Sequence, residues 1–377
     1  MSDITHLLQL TIELILGLNK FDGYFCHALV RPKISNMKHG ILSLFILLLF
    51  ACESNEDKAG RFFLMGNNSL AEGNYKEAAR LYTEALQKNP KMKEAFNNRG
   101  VAYFKDKKYT EAIVDYTKAI KEVDAYYFDA WNNRADAHYA AGMHDEALKD
   151  LLFLGEAYPD SAWVDFKAGL NLVAKKDYKR VINAFDKSLK KDSLNVESIV
   201  NKASAYYLFG FYDQAKKYLN QAESLDPSEA NIFNTRALIA TDAEKYDEAL
   251  MHVNKALALD INNPYFNNNR GYIHLLTGNL EQAEKDINLG IKGDPQNAWA
   301  YRNKGIFYFM TDKLDAALRN FEQAGLYDET IPKLNYYWGA TLIKLDRIAE
   351  ACPKLKISVD AFENEGRGLY EEHCGGI

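Results

Sequence analysis

The residues of this sequence that could do chemistry are few and stand far apart. No phosphate-binding glycine loop, nucleophile elbow, His-Glu-x-x-His or Cys-x-x-Cys pattern occurs in the 377 residues, so the usual signatures of nucleotide binding, hydrolysis and zinc binding are absent. His138, His144 and His274 occur singly, and the acidic pair Glu371-Glu372 is of a kind common on solvated helix faces. We therefore expect structural roles for these residues, and the sequence predicts no catalytic residue, no metal site and no cofactor.

Composition and charge narrow the function classes further. The chain has 46 Lys and Arg residues against 52 Asp and Glu residues, for a net charge of −6. Such a chain has no overall basic surplus with which to neutralise nucleic-acid phosphates. Only 8 prolines and 22 glycines interrupt a sequence that is 47% hydrophobic, and this favours helices joined by short turns. The sequence therefore predicts an all-α protein that does not bind nucleic acid.

The start of the chain has the order of an export signal. A short basic segment precedes the apolar run Ile41–Ala51, whose 11 residues are too few to span a bilayer, and Cys52 follows directly. This order resembles a bacterial lipoprotein signal, in which the small residue precedes the cleavage site and the cysteine becomes the acylated first residue. The resemblance implies that residues 37–51 are a signal peptide and that residues 1–36 lie upstream of the true start codon.

The residues after Cys52 extend this resemblance. Residues 52–58 are polar and acidic, and Glu53 directly follows the cysteine. Both features are similar to lipoproteins of the outer membrane, in particular those of the Bacteroidetes. They imply a tether at 52–58 and a cell-envelope location at the periplasmic or surface face of that membrane. The alternative is that residues 1–51 are retained as two short apolar helices, one of which is an uncleaved anchor.

A repeat of 34 residues runs through most of the chain, with one step of 35. A turn position, most often Tyr, is followed three residues later by a small residue, and a Gly or Ala stands nine residues before it. The turn positions are Tyr75, Tyr109, His144, Tyr178, Tyr212, Tyr246, Leu280, Leu314 and Ile348, and the small residues three positions later are Ala78, Ala112, Ala147, Val181, Ala215, Ala249, Ala283, Ala317 and Ala351. Small residues at fixed positions allow helices to approach closely. Each unit is therefore predicted to be a hairpin of two helices.

This pattern resembles the tetratricopeptide repeat (TPR) family. The repeats are 59–92, 93–127, 128–161, 162–195, 196–229, 230–263, 264–297, 298–331 and 332–365. The resemblance implies a right-handed α-solenoid of about nine helical hairpins, because no single hairpin can bury its own apolar side. The extra residue is expected near Ala125–Tyr127, in the loop between repeats two and three. Residues 366–377 are expected to form a tail.

In this family, the first helix of each repeat lines an inner groove in which ligands bind. Positions are counted here from the first residue of each repeat, and the fifth and sixth positions, which face the groove in the family, hold Asn unusually often. These residues are Asn97, Asn98, Asn132, Asn133, Asn201, Asn234, Asn268, Asn269 and Asn303. Asn is a poor mid-helix residue, but its amide suits the backbone of an extended peptide. The alternative is that the column stabilises contacts between helices.

Cationic and aromatic residues are the other candidates for partner binding. The seventh position holds Arg99, Arg134, Lys202, Arg236, Arg270 and Lys304. These cations could attract an acidic ligand, or they could neutralise neighbouring carboxylates. Trp163 and Trp299 occupy the second position, lean toward the groove in the resemblance, and could anchor apolar side chains of a partner.

The cysteines bear on the environment of the protein. In a lipoprotein, Cys26 would be lost with the leader and Cys52 would be acylated, which leaves Cys352 and Cys374 as an even pair in an exported protein. The end of the chain is also similar to those of other Bacteroidetes TPR lipoproteins. The resemblance therefore implies a disulfide between these two residues, and two unlinked thiols are the alternative.

These observations favour a non-enzymatic scaffold, anchored to a membrane through Cys52, that binds an extended peptide or a partner helix in its groove. A second hypothesis is a cytosolic co-chaperone-like adaptor that recognises a C-terminal carboxylate. Such a clamp needs Lys and Asn at fixed inward positions, and the ninth position offers Asn only at Asn67. A third hypothesis, an enzyme with an unrecognised site, lacks any candidate nucleophile or metal set.

Overall fold

The computed structural model describes residues 54–375, which form two compact units, one ending at Met143 and the other beginning at His144. The predicted signal peptide at 37–51 and the predicted lipidation site Cys52 lie outside the described residues. The predicted tether is partly described. It is helical from Asn55 onward, because Ser54 accepts a hydrogen bond from the Asp57 N–H while the Asp57 carboxylate accepts one from the Ser54 N–H.

The first unit is built from helices joined by short turns. Its helices are α1 (Asn55–Ala71), α2 (Tyr75–Lys88), α3 (Lys93–Lys105), α4 (Tyr109–Lys118) and α5 (Phe128–Ala140), and a π-helical segment, Ala119–Val123, follows α4. Helices α1 and α2 pack against each other as one antiparallel hairpin, and α3 and α4 form the next.

The second unit continues the same alternation. Its helices are α6 (His144–Ala157), α7 (Ala162–Ala174), α8 (Tyr178–Lys191), α9 (Val196–Leu208), α10 (Tyr212–Leu225), α11 (Ala230–Asp242), α12 (Tyr246–Leu259), α13 (Pro264–Leu276), α14 (Leu280–Gly293), α15 (Ala298–Met310), α16 (Leu314–Tyr327), α17 (Leu334–Lys344), α18 (Ile348–Asp360) and α19 (Asn364–Cys374). Between residues 54 and 375 there is no β-strand. The predicted all-α fold of helical hairpins is confirmed.

Small residues fix the packing within each hairpin. At Gly305, an added Cβ would stand 2.4 Å from the ring of Phe321, which lies 16 residues later on the second helix of the same repeat. The same approach recurs between Gly100 and Tyr116, at 2.6 Å. The alanines of the column that includes Ala215 are fully buried. A larger side chain at these positions would have to push two helices apart, so the repeat register follows from steric fit.

The extra residue of repeat two lies within a helix, which corrects the prediction of an insertion in the loop near Ala125–Tyr127. The second helix of this repeat runs from Tyr109 to Val123 and ends in the π-helical segment. In this segment, the Asp124 N–H donates to the Ala119 carbonyl over five residues, at 2.9 Å. A π-turn accommodates one additional residue without breaking the hydrogen-bond ladder. The loop therefore keeps its length.

The C-terminal residues are also helical, where the sequence predicted a tail from residue 366. Helix α19 begins at Asn364 and packs on α18. Gly366 makes this contact possible, because a Cβ there would stand 2.3 Å from Ser358 Oγ. The expected disulfide between Cys352 and Cys374 is present and joins α18 to the end of α19. The low helix propensity of Gly366 and Gly368 hid this helix from the sequence analysis.

Candidate partner-binding surface

The residues predicted to bind a partner all lie on the first helices of their repeats, as the family resemblance implied. In the first unit these helices are α3 and α5, and in the second they are α7, α9, α11, α13 and α15. We call the surface formed by the first helices of the second unit, including α17, the first-helix face. Successive first helices contact one another along it, so residues at the same position of neighbouring repeats are neighbours in space.

The asparagines of the fifth and sixth positions join successive first helices. In three cases, the Nδ2 of a sixth-position residue donates to the Oδ1 of the fifth-position residue one repeat earlier. The bonds run from Asn133 to Asn97 (2.9 Å), from Asn269 to Asn234 (2.8 Å) and from Asn303 to Asn268 (2.9 Å). Asn97, Asn268 and Asn303 are buried. These three amides serve packing between repeats, which is the second of the two interpretations of the column.

Where the fifth-position side chain has no oxygen to accept a hydrogen bond, the sixth-position amide donates to another group. Asn201 would meet Phe166 in this scheme, and it donates instead to the Glu197 carbonyl of its own helix, at 2.9 Å. The half-buried members of the column are Asn98, Asn132, Asn133, Asn201, Asn234 and Asn269. These residues keep part of their surface exposed and remain candidates for contact with a partner.

The cations of the seventh position face the second helices. Arg270 donates from Nε and Nη2 to the two carboxylate oxygens of Asp286, at 2.6 and 2.8 Å, and from Nη1 to Asn254 of the preceding repeat, at 3.0 Å. Arg99 repeats this arrangement with Asp115 and Thr83. Such bidentate pairs are strong and directional. The structure therefore favours neutralisation of carboxylates over attraction of an acidic ligand.

The other members of this column behave in the same way. Lys202 Nζ donates to Asp186 at 2.5 Å and to the Tyr218 hydroxyl at 2.7 Å. Arg236 pairs with Glu223 at 2.6 Å, Lys304 pairs with Glu284 at 2.8 Å, and Arg134 Nη1 donates to Thr117 at 3.1 Å. The column connects helices within and between repeats.

Exposed aromatic rings stand at the second position of the first-helix face. Trp163 is 37% exposed, Trp299 41% and Tyr265 54%. Tyr265 and Trp299 belong to consecutive repeats, and the Tyr265 hydroxyl donates to Asp294 at 2.9 Å. Large exposed rings at neighbouring positions are typical of surfaces that bind protein partners. The two tryptophans were predicted from the sequence, whereas Tyr265, which shares their position in the repeat, was not.

Arg302 is an exception among the cations, because it occupies the fifth position. Its side chain is buried, and its guanidinium carbon lies 4.7 Å from the Trp299 ring centroid and 4.8 Å from that of Tyr272. Nε and Nη2 donate to Asn303 Oδ1, and Nη1 donates to the Pro332 carbonyl at 2.9 Å. Within residues 54–375, no carboxylate forms an ion pair with it. Burial lowers the pKa of Arg302 from its ordinary value.

Further polar groups approach this part of the first-helix face from distant repeats. Burial raises the pKa of Asp242, and hydrogen bonds from Tyr212 and Tyr207 together with the charge of Lys333 oppose this only in part. The Tyr212 hydroxyl lies 3.2 Å from Asp242 Oδ2. These residues come from repeats five, six and nine, so charged groups of non-adjacent repeats are close enough to interact electrostatically.

The asparagine considered for a carboxylate clamp has structural partners. Asn67, the one ninth-position asparagine, accepts hydrogen bonds from the Tyr82 hydroxyl (2.7 Å) and from Asn98 (3.0 Å), so its carbonyl oxygen is occupied. Burial lowers the pKa of His274. In the described part of the chain, no group of three His, Cys, Asp or Glu residues is placed to hold a metal ion. Over the same residues, none of the helices combines the length and hydrophobicity needed to cross a bilayer.

Comparison with known proteins identifies the repeats. A family model described as "Tetratricopeptide repeat" matches residues 63–127, 200–264 and 236–298. Among curated proteins, anaphase-promoting complex subunit 3 of Schizosaccharomyces pombe is 23% identical over 180 residues, which are 48% of this chain and 27% of that protein. Human DnaJ homolog subfamily C member 7 is 32% identical over 137 residues, 34% of this chain and 27% of that protein. The chain thus spans about a quarter of the length of these relatives.

A solved structure shows the same fold. The crystal structure of the APC/C hetero-tetramer Cut9-Hcn1 matches with a TM-score of 0.55 and 14% identity, over 86% of this chain and 77% of that one. At this level of identity, the likeness concerns the fold alone. With matched repeats in both halves of the sequence and the hairpin packing described above, the chain contains tetratricopeptide repeats.

Proposed function

We propose that the protein is a non-enzymatic scaffold or adaptor that binds an extended peptide or a helix of a partner protein along the first-helix face. The observation that carries this proposal is the exposure of the Tyr265 and Trp299 rings at the same position of consecutive repeats. Buried aromatic anchors dominate the energetics of protein interfaces. A partner that covered these rings would remove a large apolar area from water.

We expect the aromatic rings to provide affinity for the partner and the neighbouring polar amides to orient it. The seventh-position cations and the buried asparagines already have partners inside the protein. The half-buried amides of Asn201 and Asn269 lie on the same face and offer hydrogen-bonding atoms to a peptide backbone without selecting its sequence. Trp163 provides another exposed ring at the same position in repeat four. Several shallow contacts along the face then sum to a useful affinity.

Selection from a random-peptide library tests this proposal, with matched variants of the purified protein. Peptides enriched on the wild type should bind the double variant Tyr265→Ala, Trp299→Ala at least about tenfold more weakly, because truncation of interface anchors has effects of this size. Met251, which is 60% exposed on the second helix α12, provides the control. Met251→Ala should bind as the wild type does. Failure to enrich any peptide, or equal losses in both variants, would contradict the proposal.

We also propose that the scaffold is a lipoprotein of the bacterial cell envelope, anchored at Cys52 at the outer membrane. The order of basic segment, apolar run and cysteine in the sequence supports this location. Labelling with a fatty-acid analogue in the cells that produce the protein tests it. Label should be lost in Cys52→Ala and retained in Cys352→Ala, which changes a cysteine far from the signal. Label in both variants would exclude the anchor, and so would the absence of label from both variants and the wild type.

A further inference from the structure

The last helix of the protein is tied to the repeats by one covalent bond. Helix α19 buries only Gly366 and Cys374 completely, while its apolar residues Leu369 and Tyr370 are half-buried. It has 11 residues and includes Gly366 and Gly368, and an isolated helix of this length is marginal in water. The Cys352–Cys374 disulfide ties its far end to α18. Without this bond, we expect α19 to separate readily from its neighbours.

The near end of α19 carries carboxylates that contact the first-helix face. The Lys333 backbone N–H donates to the Glu363 carboxylate, and the Lys333 ammonium lies 2.9 Å from Glu365 Oε1. Ser358 Oγ donates to the second oxygen of Glu363 at 2.6 Å. The Lys333 and Glu365 side chains are 41% and 46% exposed, and ion pairs at this exposure contribute little to stability. A carboxylate on another molecule could therefore replace Glu365.

Lys333 belongs to the same surface as the exposed rings. It occupies the second position of repeat nine, the position that Tyr265 and Trp299 hold in repeats seven and eight. The adjacent residue, Pro332, accepts a hydrogen bond from Arg302, so a second cation lies immediately behind this site. Partial burial works against the charged form of Lys333, but the hydrogen bond to Glu365 and neighbouring groups outweigh it and raise the pKa. The lysine is therefore charged at neutral pH.

We propose that Lys333, backed by Arg302, is a carboxylate-binding site for an acidic segment of a partner, and that the protein's own Glu363–Glu365 segment occupies it while the disulfide holds α19 in place. The chemistry of the partner is inferred from the protein itself, because its own acidic segment already contacts Lys333. The proposal rests on the function proposed above and specifies the partner as one with acidic residues beside an apolar or aromatic residue.

Reduction of the disulfide is the step that opens the site. A thiolate of a dithiol reductant attacks one sulfur of the Cys352–Cys374 bond and forms a mixed disulfide, and the second thiol of the reductant then releases the protein. Two electrons and two protons pass to the cysteines, which become two thiols, and the reductant becomes a disulfide. Glu363 and Glu365 stay attached to α18, but once α19 is no longer held they occupy Lys333 for less of the time, and a competing carboxylate can bind there.

The experiment uses the full chain and a fluorescent synthetic peptide with the sequence of residues 361–372, whose binding is followed by fluorescence anisotropy. The peptide should bind the protein reduced with dithiothreitol about tenfold more tightly than the oxidised protein, because release of α19 lowers the local concentration of the competing segment. The oxidised double variant Glu363→Gln, Glu365→Gln should show a similar gain. Equal binding by oxidised and reduced protein would overturn the proposal.

Matched variants separate the site from a general effect of charge. In the reduced protein, Lys333→Gln should abolish the gain, whereas Lys344→Gln should retain it, because Lys344 has a similar exposure of 47% and pairs with Asp312. A peptide in which only the residues corresponding to Glu363 and Glu365 are replaced by Gln should not bind. This control keeps the test decisive if the Lys333 variant does not fold. A gain that survives Lys333→Gln would also overturn the proposal. If the acidic peptide does not bind but library peptides still require Tyr265 and Trp299, the proposed acidic site is excluded and the proposed function stands.

Discussion

Arg270 and Arg302 lie on the first helices of consecutive repeats, but only the charge of Arg270 is paired with a carboxylate. Arg270 forms two hydrogen bonds with the buried carboxylate of Asp286. Arg302 is itself buried and is surrounded by two aromatic rings, one amide oxygen and one backbone carbonyl. The first arginine joins the two helices of its own hairpin, and the second joins three successive repeats along the first-helix face.

The difference separates the cations that recur at one position of the repeat from a cation that occurs in a single repeat. A cation at the seventh position recurs in six of the predicted repeats and is paired with the second helices wherever its contacts are described above. A cation at the fifth position occurs once, at Arg302, where four other repeats hold Asn. Pairing keeps a buried charge from being destabilising. Arg302 instead leaves positive charge at the end of the first-helix face, beside Lys333.

The largest effect is expected from Arg270→Met. The substitution leaves the Asp286 carboxylate buried without its partner, and breaking one side of such a pair should lower the free energy of unfolding by about 3 kcal/mol. Urea denaturation of the purified protein measures this change. Lys285→Met, on an exposed part of α14, is the control and should be close to the wild type. A loss no larger than the control's would show that the Arg270–Asp286 pair is not structural.

Asn303→Ala should have the next largest effect, about 2 kcal/mol. It removes the oxygen that accepts two hydrogen bonds from Arg302 and the donor to Asn268, and all three side chains are buried. Asn201→Ala, in which the amide bonds only to its own helix and is half-buried, should cause a much smaller loss. Thermal or urea unfolding compares the two. Similar losses would mean that the bonds between repeats add nothing to stability.

Arg302→Met should lower the free energy of unfolding by only about 1 kcal/mol. Loss of the hydrogen bonds to Asn303 and Pro332 is destabilising, but removal of a buried charge with no carboxylate partner offsets much of it. The same urea titration gives the value, and the comparison with Arg270→Met is internal. If both substitutions caused the same loss, the contrast between the two arginines would be unfounded.

The smallest effect is expected from Asp242→Asn, and it should depend on pH. Burial raises the pKa of Asp242 in the folded protein above its ordinary value of 3.8, so the ionised form is disfavoured by folding. This penalty is absent below the ordinary pKa, grows between the ordinary and the folded pKa, and is constant at higher pH. The variant should be slightly stabilised at about pH 7, by no more than about 0.5 kcal/mol because the side chain is partly exposed, and unchanged at about pH 3. Thermal melts at both values measure this, and an equal shift at both would contradict it.

The repeat architecture could be predicted because close packing of helices requires small residues at fixed positions in the sequence. Glycines such as Gly305 and alanines such as Ala215 recur where the two helices of a repeat approach closely, and large side chains at these positions would push the helices apart. The π-helical segment Ala119–Val123 could not be placed, because an extra residue has the same spacing whether a loop or a helix contains it. Helix α19 was missed because its formation depends on tertiary contacts and on the disulfide, which local propensity does not report.

The candidate site was predicted less completely than the fold. Its location on the first helices followed from the family resemblance, and Trp163 and Trp299 are exposed there. The role of the asparagines could not be derived, because an amide can face a ligand or a neighbouring helix with the same spacing. The bonds from Asn303 to Asn268 and from Asn269 to Asn234 depend on the distance between repeats, which only coordinates provide. The Lys333–Glu365 contact joins two segments that no sequence pattern connects.

Site-specific photo-crosslinking in the producing cells tests the central claim, that partners bind along the first-helix face, most directly. A photoreactive phenylalanine analogue would replace Trp299 or Tyr265 on this face, or Met251 on the second helix α12, which is similarly exposed. If partners bind along this face, positions 299 and 265 should give a discrete adduct with a partner protein and position 251 should give none. Adducts from position 251 alone, or of equal yield at all three positions, would contradict it.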